Sequence, residues 1–121
     1  MQALSRVRAK EAQALLSLGL HDGAYYLAGY AVECGLKARI CQDGNAQFLD
    51  KTHEHHNLRL LLRATQRGRQ LPPGSEMDDV LVFLMLNWHV EMRYAIGGYT
   101  INDVMVFINR AEEVVKWLRL S

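Results

Sequence analysis

Apolar residues along this chain recur at intervals of three and four, and the strict alternation of a half-buried strand is nearly absent. The pattern predicts an all-α fold, an antiparallel up-and-down bundle of about five helices. The first helix is expected from about residue 3 to 18, burying Leu4, Val7, Ala14, Leu15 and Leu18 and stopping at Gly19. Asp22 is suited to cap a second helix that runs to about Gln42 and ends at Gly44, with Leu27, Tyr30, Ala31, Cys34, Ala38 and Cys41 on one stripe. A third opens at Thr52 or His53 and carries Leu58, Leu61 and Leu62 to about Gln66, before RGRQLPPGS, where Pro72, Pro73 and Gly74 force a break. Ser75 with Asp78, and Thr100 with Asp103, resemble capping boxes and frame two more helices at about 76–95 and 101–120. The last has the cleanest stripe: Ile101, Val104, Met105, Ile108, Ala111, Val115 and Leu118. The fourth is apolar almost all round through LVFLML, which suits a central helix or one covered on one face by another subunit.

Composition adjusts this picture only slightly. A length of 121 residues fits a single domain spanning 1–121, with no internal repeats. The net charge of +1 argues against a strongly electrostatic nucleic-acid binder but leaves room for a local basic patch. The longest nearly apolar run, Val80–Leu86, is seven residues and too short to cross a bilayer. The opening MQALSRVRAKEAQ lacks the apolar segment of a secretory signal, so the expected location is cytoplasmic. Cys34 and Cys41 lie seven residues apart on one expected helix. That places them roughly 10 Å apart, beyond disulfide reach, and two reduced thiols are expected.

Three segments carry a more specific signal. AYYLAGYAVECGLKA on the second helix fits A-x-Y-x-A-x-x-A-x-E-x-x-L-K-A, HHNLRLLL fits H-x-L-x-x-L, and WHVEMRY fits W-x-x-E-x-R-Y. In this order and spacing they resemble the HEPN domain family of prokaryotes, which are small helical bundles. The resemblance implies a choice of roles. Some members are ribonucleases that use an Arg followed four to six residues later by a His, at a site formed where two subunits meet. Others are non-catalytic, and the family is linked to nucleotide binding and to pairing with minimal nucleotidyltransferases in toxin–antitoxin modules. Here Arg93 is followed at the corresponding positions by Gly98, Tyr99 and Thr100, and no other Arg has a His at that spacing. Acid–base cleavage of RNA needs a group that titrates near neutral pH, which Gly and Thr lack and Tyr supplies poorly.

Each candidate residue has a sharp and a bland reading. Arg93 carries a planar fork suited to phosphate beside a Gly-Gly turn, or it pairs with a carboxylate and stacks on Tyr94 or Trp88. His89, four residues earlier, would share a helix face with it and could restore the pair in reversed order, or simply pack. Trp88, Glu91 and Tyr94 are expected on one flank as a packed aromatic cluster. Glu33 and Lys37 are spaced for an i, i+4 ion pair, with Tyr26 and Tyr30 nearby. The resemblance raises the prospect of a buried or ligand-contacting role for the pair. HEHH at 53–56 is not HExxH, and it reads as a helix start with one packed His, His56, rather than a metal site. Arg59, Arg63 and Arg67, with Arg69 beyond, form a stripe that could track phosphates or line a solvated face.

The reading that best unites these features is a non-catalytic HEPN-type interaction or regulatory subunit. It would be homodimeric, without cofactor or metal and off the membrane, with a nucleotide as its candidate ligand and a nucleotidyltransferase as its candidate partner. Its ligand candidates are Arg93, Tyr99, Lys37, Glu33 and His56, and its packing or interface candidates are Trp88, Glu91, Tyr94 and Tyr30. The alternative is a metal-independent ribonuclease using Arg93 with His89 or His56. A weaker one is an RNA-binding module built on the arginine stripe.

Overall fold

A computed structural model describes residues 1–94 and 97–119, without the side chains of residues 93 and 94. Among the described residues six α-helices form a bundle: α1 (Gln2–Ser17), α2 (His21–Asp43), α3 (Leu58–Arg63), α4 (Gln66–Gln70), α5 (Glu76–Asn87) and α6 (Ile101–Leu118). Short 3-10 turns at Lys51–His53 and Val90–Tyr94 supplement them, and the described residues include no strand. No helix among the described residues is long and apolar enough to cross a membrane.

α1 ends as its glycine dictates. Gly19 takes φ +75°, and the amides of Gly19 and Leu20 donate to the carbonyls of Leu16 and Leu15, closing a Schellman turn into α2. α2 ends at Gly44, but the left-handed residue is Asn45 at φ +50°. Asp22 does not cap α2 as expected. Leu20 holds the N-cap position without a side-chain bond, and Asp22 in the first turn accepts from the Gly97 amide at 2.8 Å, tying the 97–100 segment to this helix. The Thr100/Asp103 box is complete, whereas only half of the Ser75/Asp78 pair closes, since Asp78 accepts from Gly74 instead.

Several sequence expectations are corrected here. The third helix does not open at Thr52 or His53. That segment is a 3-10 turn capped by Asp50, and α3 starts after Asn57, whose side chain accepts from the Leu60 amide. Thr65 then interrupts the chain in extended conformation and caps α4, so RGRQ is helical and the break falls at 71–75. The fourth helix stops at Asn87 rather than near residue 95, because Trp88 turns extended to plug its ring against α2. His89 and Arg93 therefore do not share an α-helical face.

The central helix is α2, not α5. From Ala24 to Arg39 twelve of the sixteen α2 residues are buried, because small side chains let α1 and α6 approach closely. At Gly35 an added Cβ would lie 3.2 Å from Leu118 and 3.3 Å from Ser5, whose hydroxyl donates to the Ala31 carbonyl at 2.7 Å. This close approach turns α1 so that Ser5 and Ala12 face inward, leaving Val7, Ala14 and Leu18 exposed against expectation. Leu58, Leu61 and Leu62 are buried as their spacing implied. The α6 face is rotated, burying Phe107 and Val114 and exposing Ile101 and Met105. α5 lies at the periphery with Val82 and Leu86 exposed.

Candidate functional site

Glu33 sits at the middle of α2, 1 % exposed, with all its charge satisfied internally. Lys37 Nζ donates to Oε2 at 3.1 Å, one turn further along the helix. From the segment before α3, His56 brings Nδ1 to 3.1 and 3.0 Å of the two carboxylate oxygens. A carboxylate only accepts, so Nδ1 carries the proton and Nε2 is the ring's other face. Glu33 thus fixes both the tautomer and the direction of an imidazole whose side chain is 48 % exposed. Burial with a charged neighbour also raises the adjacent groups: desolvation and then the Glu33 carboxylate push the Cys34 thiol up, and desolvation followed by Cys34 raises the Tyr30 phenol. Cys34 and Cys41 are both free thiols.

His56 faces an open groove between the α3 start and the α5 end. His55, His56, Asn57 and Arg59 form one wall, and Met85, Trp88 and His89 line the other together with Glu91. Arg59 has no hydrogen-bond or ion-pair partner among the described residues. His89 Nδ1 lies 3.1 Å from Glu91 on the exposed rim. The floor is Trp88, whose indole N–H donates to the Tyr26 carbonyl at 3.1 Å and whose ring stacks on Tyr26, itself stacked on Tyr30. α2 admits that ring only because residue 29 is glycine: a Cβ there would fall inside the indole.

The fold therefore gathers Glu33, Lys37 and His56, and sets Trp88, His89 and Glu91 around the same groove. Tyr99 stands apart, stacked on Tyr25 with ring centroids 4.2 Å apart. The Arg93 and Tyr94 side chains lie outside what the structure describes. The arginine stripe is not continuous, because the chain breaks at Thr65; Arg67 donates to the Trp117 carbonyl and Arg69 to that of Arg63. Arg59 and His55 were missed as groove residues, although both lie within or beside the HHNLRLLL segment. The described residues hold no cluster of His, Cys, Asp and Glu fit for a metal ion.

The elements that build this groove are the three sequence segments singled out above. A model of the HEPN domain matches residues 5–121. The chain belongs to the HEPN domain family. No curated protein and no solved structure matches it. AYYLAGYAVECGLKA, HHNLRLLL and WHVEMRY meet here: the first supplies Glu33, Lys37 and the Gly29 notch, the second His56 and Arg59, the third Trp88 and His89.

Proposed function

We propose that this HEPN protein is a non-catalytic binding and regulatory subunit that takes a nucleotide in the groove between α3 and α5 and acts as a homodimer. The observation that carries the reading is Arg59, a guanidinium without a partner among the described residues, on a wall with His55 and His56 and opposite His89. The Arg59 guanidinium and the His55 imidazole, whose Nδ1 accepts from the Asn57 amide and leaves Nε2–H to donate, suit a phosphate chain, and Met85 with Trp88 offers apolar surface for a base. Dimerisation is supported by Val82 and Leu86, which α5 leaves exposed, and a minimal nucleotidyltransferase is the partner class that the family suggests. Calorimetric titration with nucleoside triphosphates tests the site. Saturable binding lost in Arg59→Ala is expected, and no heat with any of them at millimolar concentration would sink the proposal. Sedimentation tests the assembly, where a monomer at micromolar concentration would count against it.

A second reading is favoured by one geometric fact. Glu33 holds His56 by Nδ1 and leaves Nε2 available, the way a carboxylate orients a general base, with His89 and Arg59 on the same groove. On this reading the protein is a metal-independent ribonuclease whose Arg93 acts with His56 or His89. It predicts cleavage of single-stranded RNA in EDTA that disappears in His56→Ala. Intact RNA after incubation with dimeric protein would remove it.

A further inference from the structure

Between α1 and α6 lies an open groove that neither reading uses. Gln13 of α1 donates to Glu112 of α6 at one end, and Arg6 and Arg119 stand toward the other, so the two helices run antiparallel. Four cations rim the channel: Arg6 and Lys10 on α1, Lys116 and Arg119 at the close of α6. All four side chains are exposed, and none makes a hydrogen bond or ion pair among the described residues. Glu112 is the one carboxylate of the groove, which is therefore strongly positive in a chain whose net charge is only +1. Helix electrostatics explains half of this. Lys116 and Arg119 sit where the α6 dipole favours cations. On α1 the first turn holds no acid, and Arg6 and Lys10 stand one turn apart as like charges, which weakens a helix. Arg8 on the same helix is paired with Glu11, whereas the groove cations are left to repel one another.

We propose that this groove docks an acidic amphipathic helix of a partner protein. Its floor is apolar, formed by Ala9 and Val115 with the aliphatic stems of the lysines and arginines beside them. From Arg6 to Gln13 it runs roughly 10 Å, about two turns of a helix. A helix laid along it sets small apolar residues on that floor and offers carboxylates one turn apart to the cations of both rims, matching the i, i+4 spacing of Arg6 and Lys10. Neutralising the rim relieves the repulsion stored there, so charge complementarity selects the partner as well as attracting it. A nucleic-acid strand fits less well. No aromatic side chain lines the groove to stack a base, and Glu112 repels a phosphate. The surface is independent of any nucleotide held between α3 and α5.

The test is fluorescence anisotropy of a labelled synthetic helix, with glutamates flanking a stripe of alanine and leucine, titrated with the full chain. Saturable binding that weakens as salt rises is expected. Lys10→Glu and Lys116→Glu should each weaken it about tenfold or more, since each turns an attraction into a repulsion. Both positions are exposed, so the core is untouched, and circular dichroism verifies the fold. Two further probes fix the occupant: a peptide of the same composition scrambled to lose its apolar stripe, and a single-stranded RNA of equal charge. Weaker binding of both supports the docked helix. Nucleoside triphosphate titrations should read the same in Lys10→Glu as in the parent, which separates this groove from the one beside His56. No binding of the acidic helix, equal binding of the scrambled peptide, tighter binding of the RNA, or unchanged affinity in either folded variant would each overturn the assignment.

Discussion

Gly29→Ala is the substitution whose effect the structure specifies most sharply. In an ordinary helix interior it would stabilise by up to about 1 kcal/mol, because alanine loses less backbone entropy. Here the new Cβ would fall inside the indole of Trp88, which is 3 % exposed and pinned by its bond to the Tyr26 carbonyl. If the ring stays, the overlap costs about 3 kcal/mol, the upper end for an overpacked core. If it leaves, some 150–250 Å² of aromatic surface returns to water at about 25 cal/mol per Å², or about 4–6 kcal/mol. Subtracting the helix gain leaves a net loss of about 2–5 kcal/mol. Urea unfolding followed by circular dichroism reads this loss, and a red shift of tryptophan emission reports whether the ring has left. The decisive comparison is a double-mutant cycle: in a Trp88→Ala background the space is empty, so Gly29→Ala should become neutral or stabilising. Equal costs in both backgrounds, or no cost in the parent, would refute the reasoning.

Three further outcomes follow from the same contacts. Glu33→Gln strands Lys37, 7 % exposed, beside an uncharged amide and should cost about 3–5 kcal/mol in urea unfolding, with part of the loss recovered by adding Lys37→Met. Burial, then Tyr99 and Asp103, push the Tyr25 phenol far above its usual range, and burial followed by the Glu33 carboxylate raises the Cys34 thiol. Both groups are held protonated by the fold, so their stabilisation is complete below the ordinary thiol and phenol values of about 8.5 and 10 and drains away as pH rises beyond them. Tyr25→Phe should flatten the alkaline loss above about pH 10 while costing about 1 kcal/mol for the bond to the Asn87 carbonyl; an unchanged alkaline limb would contradict this. Native-state alkylation followed by mass spectrometry should modify Cys41 well before Cys34, which is 0 % exposed, and equal rates would argue against that burial.

The sequence made legible what depends on local chemistry. Gly19, the Thr100/Asp103 box and the leucines of α3 were all set by short-range requirements of turn, cap and period, and they stand where expected. Which helix lies at the centre was not legible. LVFLML carries the larger side chains, yet AYYLAGYAVECGLKA won the centre because its Ala and Gly residues let neighbours come close. Hydropathy rewards bulk, whereas close helix packing rewards small side chains, and the same inversion put Ser5 inside in place of Val7. At the site, Glu33 and Lys37 could be paired from their spacing. His56 joined them across 23 residues, a contact that no local pattern encodes.

The segment after Arg93 bears most directly on catalysis. Gly97 and Gly98 take φ of +78° and +91°, and the Gly97 amide is bound by Asp22. Tyr99 stacks on Tyr25, which stacks in turn on Phe107. Thr100 caps α6. These three successive duties fall on the positions where the ribonuclease members of the family would carry histidine. A His at 98 would enter a backbone region that side chains avoid, one at 99 would disrupt the aromatic stack, and one at 100 would forfeit a cap worth about 1 kcal/mol. Each position is thus committed to holding the turn and the start of α6, and a histidine could return there only at the expense of the fold. That commitment supports the binding reading over cleavage, and under the ribonuclease reading it leaves the acid–base work to His56, oriented by a buried carboxylate from a distant part of the chain, or to His89 on the same groove.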